Sequence, residues 1–299
     1  MRVPMNFFTY LSLVLTMFLW GGTFIAGRAL ADTVEPGSAA FLRFFIASVA
    51  LLVVLKITKE KLLLPPRTTW VQLVLLGLTG VFSYNVFFFN GLQHISAGRA
   101  ALIVACTPLV ITFFAAIFQD EKLSLLKLAG IFLSLIGAIT VISNGHPSLL
   151  LSGGFGPGER ALIGCVLSWA AYSLIGRSVL TVLSPLISVC YSSIIGTLLL
   201  LIPAAREELY DHLGAISLID WTSLSYLGIC GTALGFCLYY QGIKKIGATK
   251  AGIFINLVPV FALLLSWLIL DEAVKPIVFA GGLLVLTGVS LTNYHKSPA

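Results

Sequence analysis

Apolar residues gather into ten runs, each long enough to cross the roughly 30 Å of hydrocarbon in a bilayer. They lie near residues 9–29, 37–56, 69–91, 97–118, 124–143, 160–179, 185–204, 219–242, 248–269 and 275–293. None alternates with the two-residue period of a barrel strand, so each is expected to be a helix that satisfies its own backbone. Short polar loops separate the runs. The pattern predicts an all-α integral membrane fold of ten transmembrane helices.

The stretch from Ile95 to Glu121 organises this pattern because it occurs twice. Ile246, Ala248, Lys250, Ala251, Pro259 and Asp271-Glu272 follow Ile95, Ala97, Arg99, Ala100, Pro108 and Asp120-Glu121 by 151 positions. Earlier in the chain, Trp20, Gly27, Arg28 and Pro36 recur as Trp169, Gly176, Arg177 and Pro185 at an offset of 149. The second copy therefore holds two extra residues between Pro185 and Trp221, for which the loop near Arg206–Asp220 is the natural place. The chain divides into residues 1–147 and 159–299, with a linker at 148–158. Its glycine-rich string lacks the Gly-Lys-Ser/Thr ending of a phosphate cradle and reads as flexible. An odd number of helices per copy makes the second enter the membrane from the opposite face, which gives inverted repeats. The repetition of the first helix also marks it as a retained span; it exceeds the roughly 7–15-residue core of a cleaved signal.

Composition agrees with the pattern. Residues of the hydrophobic set make up 58% of the 299, charged residues only 10%, and mean hydropathy is +1.02. A soluble domain averages about 25% charged residues. The net charge of +6 is distributed by topology. Twelve of the 18 basic residues fall on the face of the N-terminus (Arg2, Lys56, Lys59, Lys61, Arg67, Lys122, Lys127, Arg177, Lys244, Lys245, Lys250 and Lys296). Arg28, Arg43, Arg99, Arg160, Arg206 and Lys275 fall on the other. The positive-inside rule then puts both termini in the cytoplasm, in a plasma membrane of the bacterial inner-membrane type, and leaves no basic face for nucleic acid. The five cysteines sit inside apolar runs without paired spacing, which argues against a disulfide framework or a thiolate metal site. The four histidines are scattered in loops, with no metal-ligand or nucleophile–base spacing. No enzyme activity, metal or cofactor is expected.

In these residues the chain resembles the drug/metabolite transporter superfamily, of the EamA type. The resemblance rests on Trp20-Gly21-Gly22-Thr23-Phe24 with Arg28, on Pro36 with Arg43-Phe44, and on Gly91-Leu92, Pro108, Asp120-Glu121, Gly130 and Gly137. The second copy adds Gly242, Pro259, Asp271-Glu272, Gly281 and Gly288. It implies a ten-helix inverted-repeat exporter with a central cavity, handling amino acids or other small metabolites and sometimes drugs. The second copy departs where Trp169-Ala170-Ala171-Tyr172 replaces Trp-Gly-Gly-Thr, and where Ser192 stands at the position of Arg43. The halves are therefore not chemically equivalent.

Pro108 and Pro259 lie within apolar runs, where a proline removes a donor and displaces the carbonyl four residues back. They are expected to be mid-helix hinges that loosen the carbonyls of Val104 and Ile255 in a medium poor in water. The third run carries Phe82, Tyr84, Asn85, Phe87, Phe88 and Phe89, the eighth Phe236, Tyr239 and Tyr240. Rings in membrane helices most often pack or form interfacial belts. Amides facing lipid are expensive, so Asn85 and Asn256 should face the interior. Trp20, Tyr84, Asn85, Phe88, Trp169, Tyr172, Tyr239 and Asn256, with Arg43, are the candidate substrate-binding set. Arg43 lies seven residues into its helix, about 10 Å along the axis. Its guanidinium either snorkels to the outer interface or binds a substrate carboxylate bidentately. The acidic pairs are expected to cap the following helices. No carboxylate lies deep in a run, which argues against an intramembrane proton relay. Gly130 with Gly137 and Gly281 with Gly288 each share a helix face, for close packing within the protomer or across a homodimer.

The sequence thus predicts a secondary transporter for small amphipathic metabolites, amino acids foremost, working by alternating access. Broad-specificity efflux and a nucleotide- or sugar-type permease are the alternatives, and a channel or membrane-embedded enzyme the remote ones.

Overall fold

The computed structural model describes residues 7–30, 33–62, 64–94, 103–119, 124–143, 146–148, 156–270 and 276–293, and these residues form helices and their connections with no strand among them. The helices are α1 (Phe7–Leu30), α2 (Pro36–Thr58), α3 (Arg67–Leu76), α4 (Tyr84–His94), α5 (Thr107–Phe118), α6 (Leu125–Ile142), α7 (Pro157–Val179) and α8 (Pro185–Arg206). After them come the one-turn α9 (Leu209–His212), α10 (Leu218–Ser225), α11 (Gly235–Ile246), α12 (Ala248–Gly252), α13 (Val258–Leu270) and α14 (Pro276–Asn293). A π-helical turn, Gly77–Ser83, joins α3 to α4, and a second, Tyr226–Leu234, joins α10 to α11. Six helical stretches are long and apolar enough to cross a membrane, and four shorter apolar helices accompany them. The pairs Asp120-Glu121 and Asp271-Glu272, and linker residues 149–155, lie outside the described residues.

Helix ends follow local chemistry. Proline opens α2, α7 and α8 at the position where its missing N–H costs nothing. Ser184 caps α8 through Ile187 N–H, and Ser217 with Asp220 forms a reciprocal capping box on α10. Along α2 the buried stripe Ala40, Phe44, Ala47, Leu51 and Leu55 repeats every three or four residues, while Phe45, Val49, Leu52 and Val53 lie outward. An outward face of that kind is what hydrocarbon covers.

The loop near Arg206–Asp220 has a structural use. The Glu207 carboxylate accepts from Gly37 N–H (2.9 Å), Ser38 N–H (2.6 Å) and the Ser38 hydroxyl (2.9 Å), closing the N-terminus of α2. Asp220 accepts from the Thr33 hydroxyl at 2.8 Å. One loop of the second half thus terminates a helix of the first, with the carboxylate at the end of the helix dipole that favours it.

Contacts recur between positions that match in the two halves. Gly77 lies against Ile195 and Gly228 against Ile46; Gly80 lies against Tyr172 and Gly231 against Thr23; Gly91 lies against Leu162 and Gly242 against Leu13. Where α2 crosses α8, Ser48 and Thr197 share a hydrogen bond of 3.2 Å. The third helical stretch of each half therefore packs on the first two helices of the other.

Two expectations change. Pro108 does not interrupt a continuous helix, and Pro259 lies where the unbroken helical stretch 248–270 has just passed from 3₁₀ to α geometry. Pro108 stands in the first turn of α5, after a break at Ala105–Cys106, and Pro259 in the first turn of α13, after the 3₁₀ turn Ile253–Leu257. Nor are the two carbonyls left loose: Val104 accepts from the Thr107 hydroxyl at 2.6 Å, and Ile255 from Val258 N–H. The glycine faces also find their partner inside the protomer. A side chain at Gly137 would stand 2.6 Å from the Gly281 carbonyl, and one at Gly288 would strike the backbone of Gly130 and Ser134. Because α6 and α14 use these faces on each other, they are not available for a dimer.

Gly288→Val should therefore force α6 and α14 apart at a cost of about 1–3 kcal/mol. Thermal unfolding of the purified protein in detergent should show a Tm several degrees lower; an unchanged Tm would mean that the helices do not touch at this glycine.

Candidate functional site

The aromatic residues singled out from sequence come together around Trp169. Its ring lies 5.2 Å from Trp20, 5.1 Å from Tyr84, 5.2 Å from Tyr172, 5.1 Å from Phe236 and 5.7 Å from Tyr239. Phe88 extends the group by stacking on Tyr84, with an interplanar angle of 10°. Edge-to-face and offset pairs at these separations are favourable beyond the area they bury. Four helices supply the rings: α1 brings Trp20, α4 Tyr84 and Phe88, α7 Trp169 and Tyr172, and α11 Phe236 and Tyr239.

The polar ends of several of these rings are tied down individually, while the buried Trp169 Nε1–H has no hydrogen-bond partner. Trp20 Nε1–H donates to the Gly231 carbonyl at 2.8 Å. The Tyr239 hydroxyl shares a 3.0 Å hydrogen bond with Ser173, and Ser173 donates to the Trp169 carbonyl. The Tyr172 hydroxyl lies 3.4 Å from Ser192, and the Tyr240 hydroxyl donates to the Tyr172 carbonyl at 3.0 Å. Tyr172 and Tyr239 are fully buried and Trp169 nearly so. Trp20, Tyr84 and Phe88, at the edge of the group, are only half-buried.

Arg43 stands beside this cluster. It is 8% exposed, so it does not reach the outer interface. Its guanidinium carbon lies 5.2 Å from the centre of the Phe44 ring, and Phe44 in turn meets Phe236 at 6.1 Å. Its Nε–H donates to the Thr232 hydroxyl at 2.9 Å, and that hydroxyl donates to the Leu227 carbonyl five residues back, also at 2.9 Å. A hydroxyl has one hydrogen to give; since Leu227 takes it, Thr232 serves Arg43 as acceptor. Among the described residues no carboxylate pairs with Arg43. The matching position in the second half holds Ser192, on the other side of the cluster beside Tyr172.

The amides separate. Asn85 is buried within α4; its Nδ2 donates to the Val81 carbonyl at 2.6 Å, and its Oδ1 has no hydrogen-bond partner. Asn256 is also buried, but it belongs elsewhere, donating to the Ser134 hydroxyl of α6 at 2.8 Å. Sequence reasoning missed Thr232, Gly231 and Tyr226, whose hydroxyl donates to the Leu19 carbonyl at 2.9 Å. All three sit in the π turn, and nothing but a local excess of glycine hints at that turn.

Thr232→Val removes the acceptor of Arg43 and the donor to Leu227 together. Hydrogen bonds to charged groups contribute about 1.5–3 kcal/mol, so the variant should unfold at lower temperature or denaturant, and Thr232→Ser should recover most of the loss. Equal stability of Thr232→Val and the parent protein would show that the π turn does not rely on this hydroxyl.

Comparison with known proteins identifies this architecture. The EamA-like transporter family matches twice, over residues 7–143 and 156–294. The transporter YyaM of Bacillus subtilis is 28% identical over 280 residues, which are 94% of this chain and 92% of that protein. A Streptantibioticus cattleyicolor protein named "Probable terminal-alkyne amino-acid exporter" is 26% identical, covering 94% of this chain and 92% of its own. An S-adenosylmethionine/S-adenosylhomocysteine transporter of Chlamydia trachomatis is 28% identical over 94% of this chain and 88% of its own. A solved crystal structure with 21% identity shares the fold, with a TM-score of 0.76 over 95% of this chain and 97% of that one. The chain belongs to the EamA-like transporter family, within the drug/metabolite transporter superfamily, and is a multi-pass membrane transporter.

Proposed function

We propose that the protein exports small amphipathic metabolites, amino acids first among them, across the plasma membrane by alternating access between two inverted five-helix repeats. The observation that carries this reading is Arg43, a buried guanidinium with no carboxylate partner among the described residues. A charge held out of water costs several kcal/mol unless it is paired. Its Nε–H is used by Thr232, and the remaining N–H groups are a fork of the geometry that grips a carboxylate. The aromatic cluster next to it suits an apolar side chain, and the unpartnered Asn85 Oδ1 is an acceptor for an ammonium group. A relative named as an amino-acid exporter agrees with this; one named for S-adenosylmethionine and its homocysteine product, both amino-acid derivatives, agrees as well.

Alternating access is the reading of the duplicated pattern. The twofold family match, the recurring glycine contacts and the two-to-one bias of basic residues support ten spans in two inverted repeats with both termini in the cytoplasm. In this scheme the aromatic cluster is the surface that a substrate meets from one side of the membrane at a time. Pro108 and Pro259 mark hinges at broken turns, and the π turns give the third helix of each repeat a second point of flexure. Broad-specificity efflux would use the same aromatic surface without needing the guanidinium.

Export from proteoliposomes loaded with a metabolite panel tests this. Amino acids with apolar or aromatic side chains should leave saturably, while the protein-dependent efflux of their methyl esters, measured above protein-free liposomes, should be at least tenfold slower, because they keep the side chain and lose the carboxylate. Equal rates for acid and ester would remove Arg43 from recognition and favour broad efflux.

A further inference from the structure

The segments α5 and α13 occupy matching positions, each with a proline in its first turn, but their far ends differ. Next to the last residue of α5 stands Gln119, whose side-chain amide reaches across to α7 of the second half at two points. Its Nε2 donates to the Leu174 carbonyl at 2.8 Å, and its Oε1 accepts from Arg177 Nη1 at 3.0 Å. Leu174 lies inside α7, and a carbonyl with two lone pairs can serve both its own helix and Gln119. The offset of 151 puts Leu270, the last residue of α13, at the matching place. A leucine side chain neither donates nor accepts, so this fastening belongs to α5 alone.

The construction of α5 makes the fastening consequential. The segment has 12 residues and begins after the break at Ala105–Cys106, so a turn already stands at its base. In its last turn Ile117 and Phe118 are exposed, on the kind of surface that hydrocarbon covers. Hydrocarbon supplies no hydrophobic drive between helices, which leaves close packing and interhelical hydrogen bonds to hold a span in place. Thr112 and Ala115, spaced three and seven residues before Gln119 at helical intervals, are buried. A residue that only terminated α5 would direct its side chain to carbonyls of α5; both side-chain partners of Gln119 belong to α7.

We infer that Gln119 is a catch that positions α5 against α7, and that its release lets α5 swing as a rigid arm about the break at Ala105–Cys106. Because α13 has leucine at the matching place, the two halves move unequally. Neither the substrate nor the membrane orientation proposed above enters this device.

The test is alkylation of Thr112→Cys by N-ethylmaleimide in the full-length protein in detergent micelles. Peptide mass spectrometry separates this site from the five native cysteines. The replacement is close in size, and the Thr112 hydroxyl has no hydrogen-bond partner to lose. Adding Gln119→Leu, which gives α5 the residue of α13, should raise the alkylation rate at position 112 at least about tenfold, as expected for two lost hydrogen bonds, one of them to a charged group. Amide hydrogen exchange separates a swinging arm from a frayed one. A rigid arm keeps its internal hydrogen bonds, so exchange over residues 107–118 should stay within about twofold of the parent protein. Unchanged alkylation would overturn the inference, as would alkylation and α5 amide exchange rising together. Should Thr112→Cys fail to fold, Ala115→Cys gives the same readout from the buried position nearest the catch.

Discussion

A backbone polar group inside hydrocarbon must find its partner within the protein, and four places among the described residues where the spans leave α-helical geometry show how that requirement is met. At the first proline, Thr107 supplies a hydroxyl to the Val104 carbonyl; at the second, a 3₁₀ turn brings Val258 N–H to Ile255. In the Tyr226–Leu234 π turn, Trp20 takes the Gly231 carbonyl and Thr232 the Leu227 carbonyl. The Gly77–Ser83 turn ends beside Asn85, which donates to Val81. Residues that would be read as substrate contacts are therefore also the residues that hold irregular backbone in place.

That double use connects Arg43 to the fold. Its Nε–H rests on the hydroxyl that satisfies the π turn, so a ligand drawing on the guanidinium acts on a segment already departing from α-helical geometry. The segment lies against α1 and α2, where Gly228 meets Ile46 and Gly231 meets Thr23. In the proposed mechanism, binding and helix movement share a few residues. Along α6 and α14 the packing is closer and simpler, with glycines that bring backbone against backbone.

Much of this could be read from the residues beforehand, because membrane helices leave few options. Apolar runs and their duplication pointed to the helices, and matching positions brought Trp20 and Trp169 into the same comparison before the structure placed them 5.2 Å apart. The failures have a common cause. A π or 3₁₀ turn changes hydrogen bonding by one residue without changing hydrophobicity, so Pro108 and Pro259 looked like mid-helix positions although each stands in the first turn of an α-helical segment. For the same reason Thr232 carried no signal. The cost of burying Asn256 predicted that it would be buried, but nothing in a one-dimensional pattern named Ser134 as its partner or separated it from the aromatic group. Gly137 and Gly288 advertised a close contact without saying with what.

In the proposed transporter Arg43 is a buried charge, without a carboxylate partner among the described residues, that is kept for its ligand. Replacing such a charge with an apolar side chain of similar length commonly stabilises a protein, whereas residues kept for function give up stability. The most direct measurement is the Tm of Arg43→Met in detergent, paired with its export rate in proteoliposomes. The account predicts a Tm equal to or above that of the parent protein with export reduced at least tenfold. A lower Tm with export retained would contradict it, and would make Arg43 a structural residue.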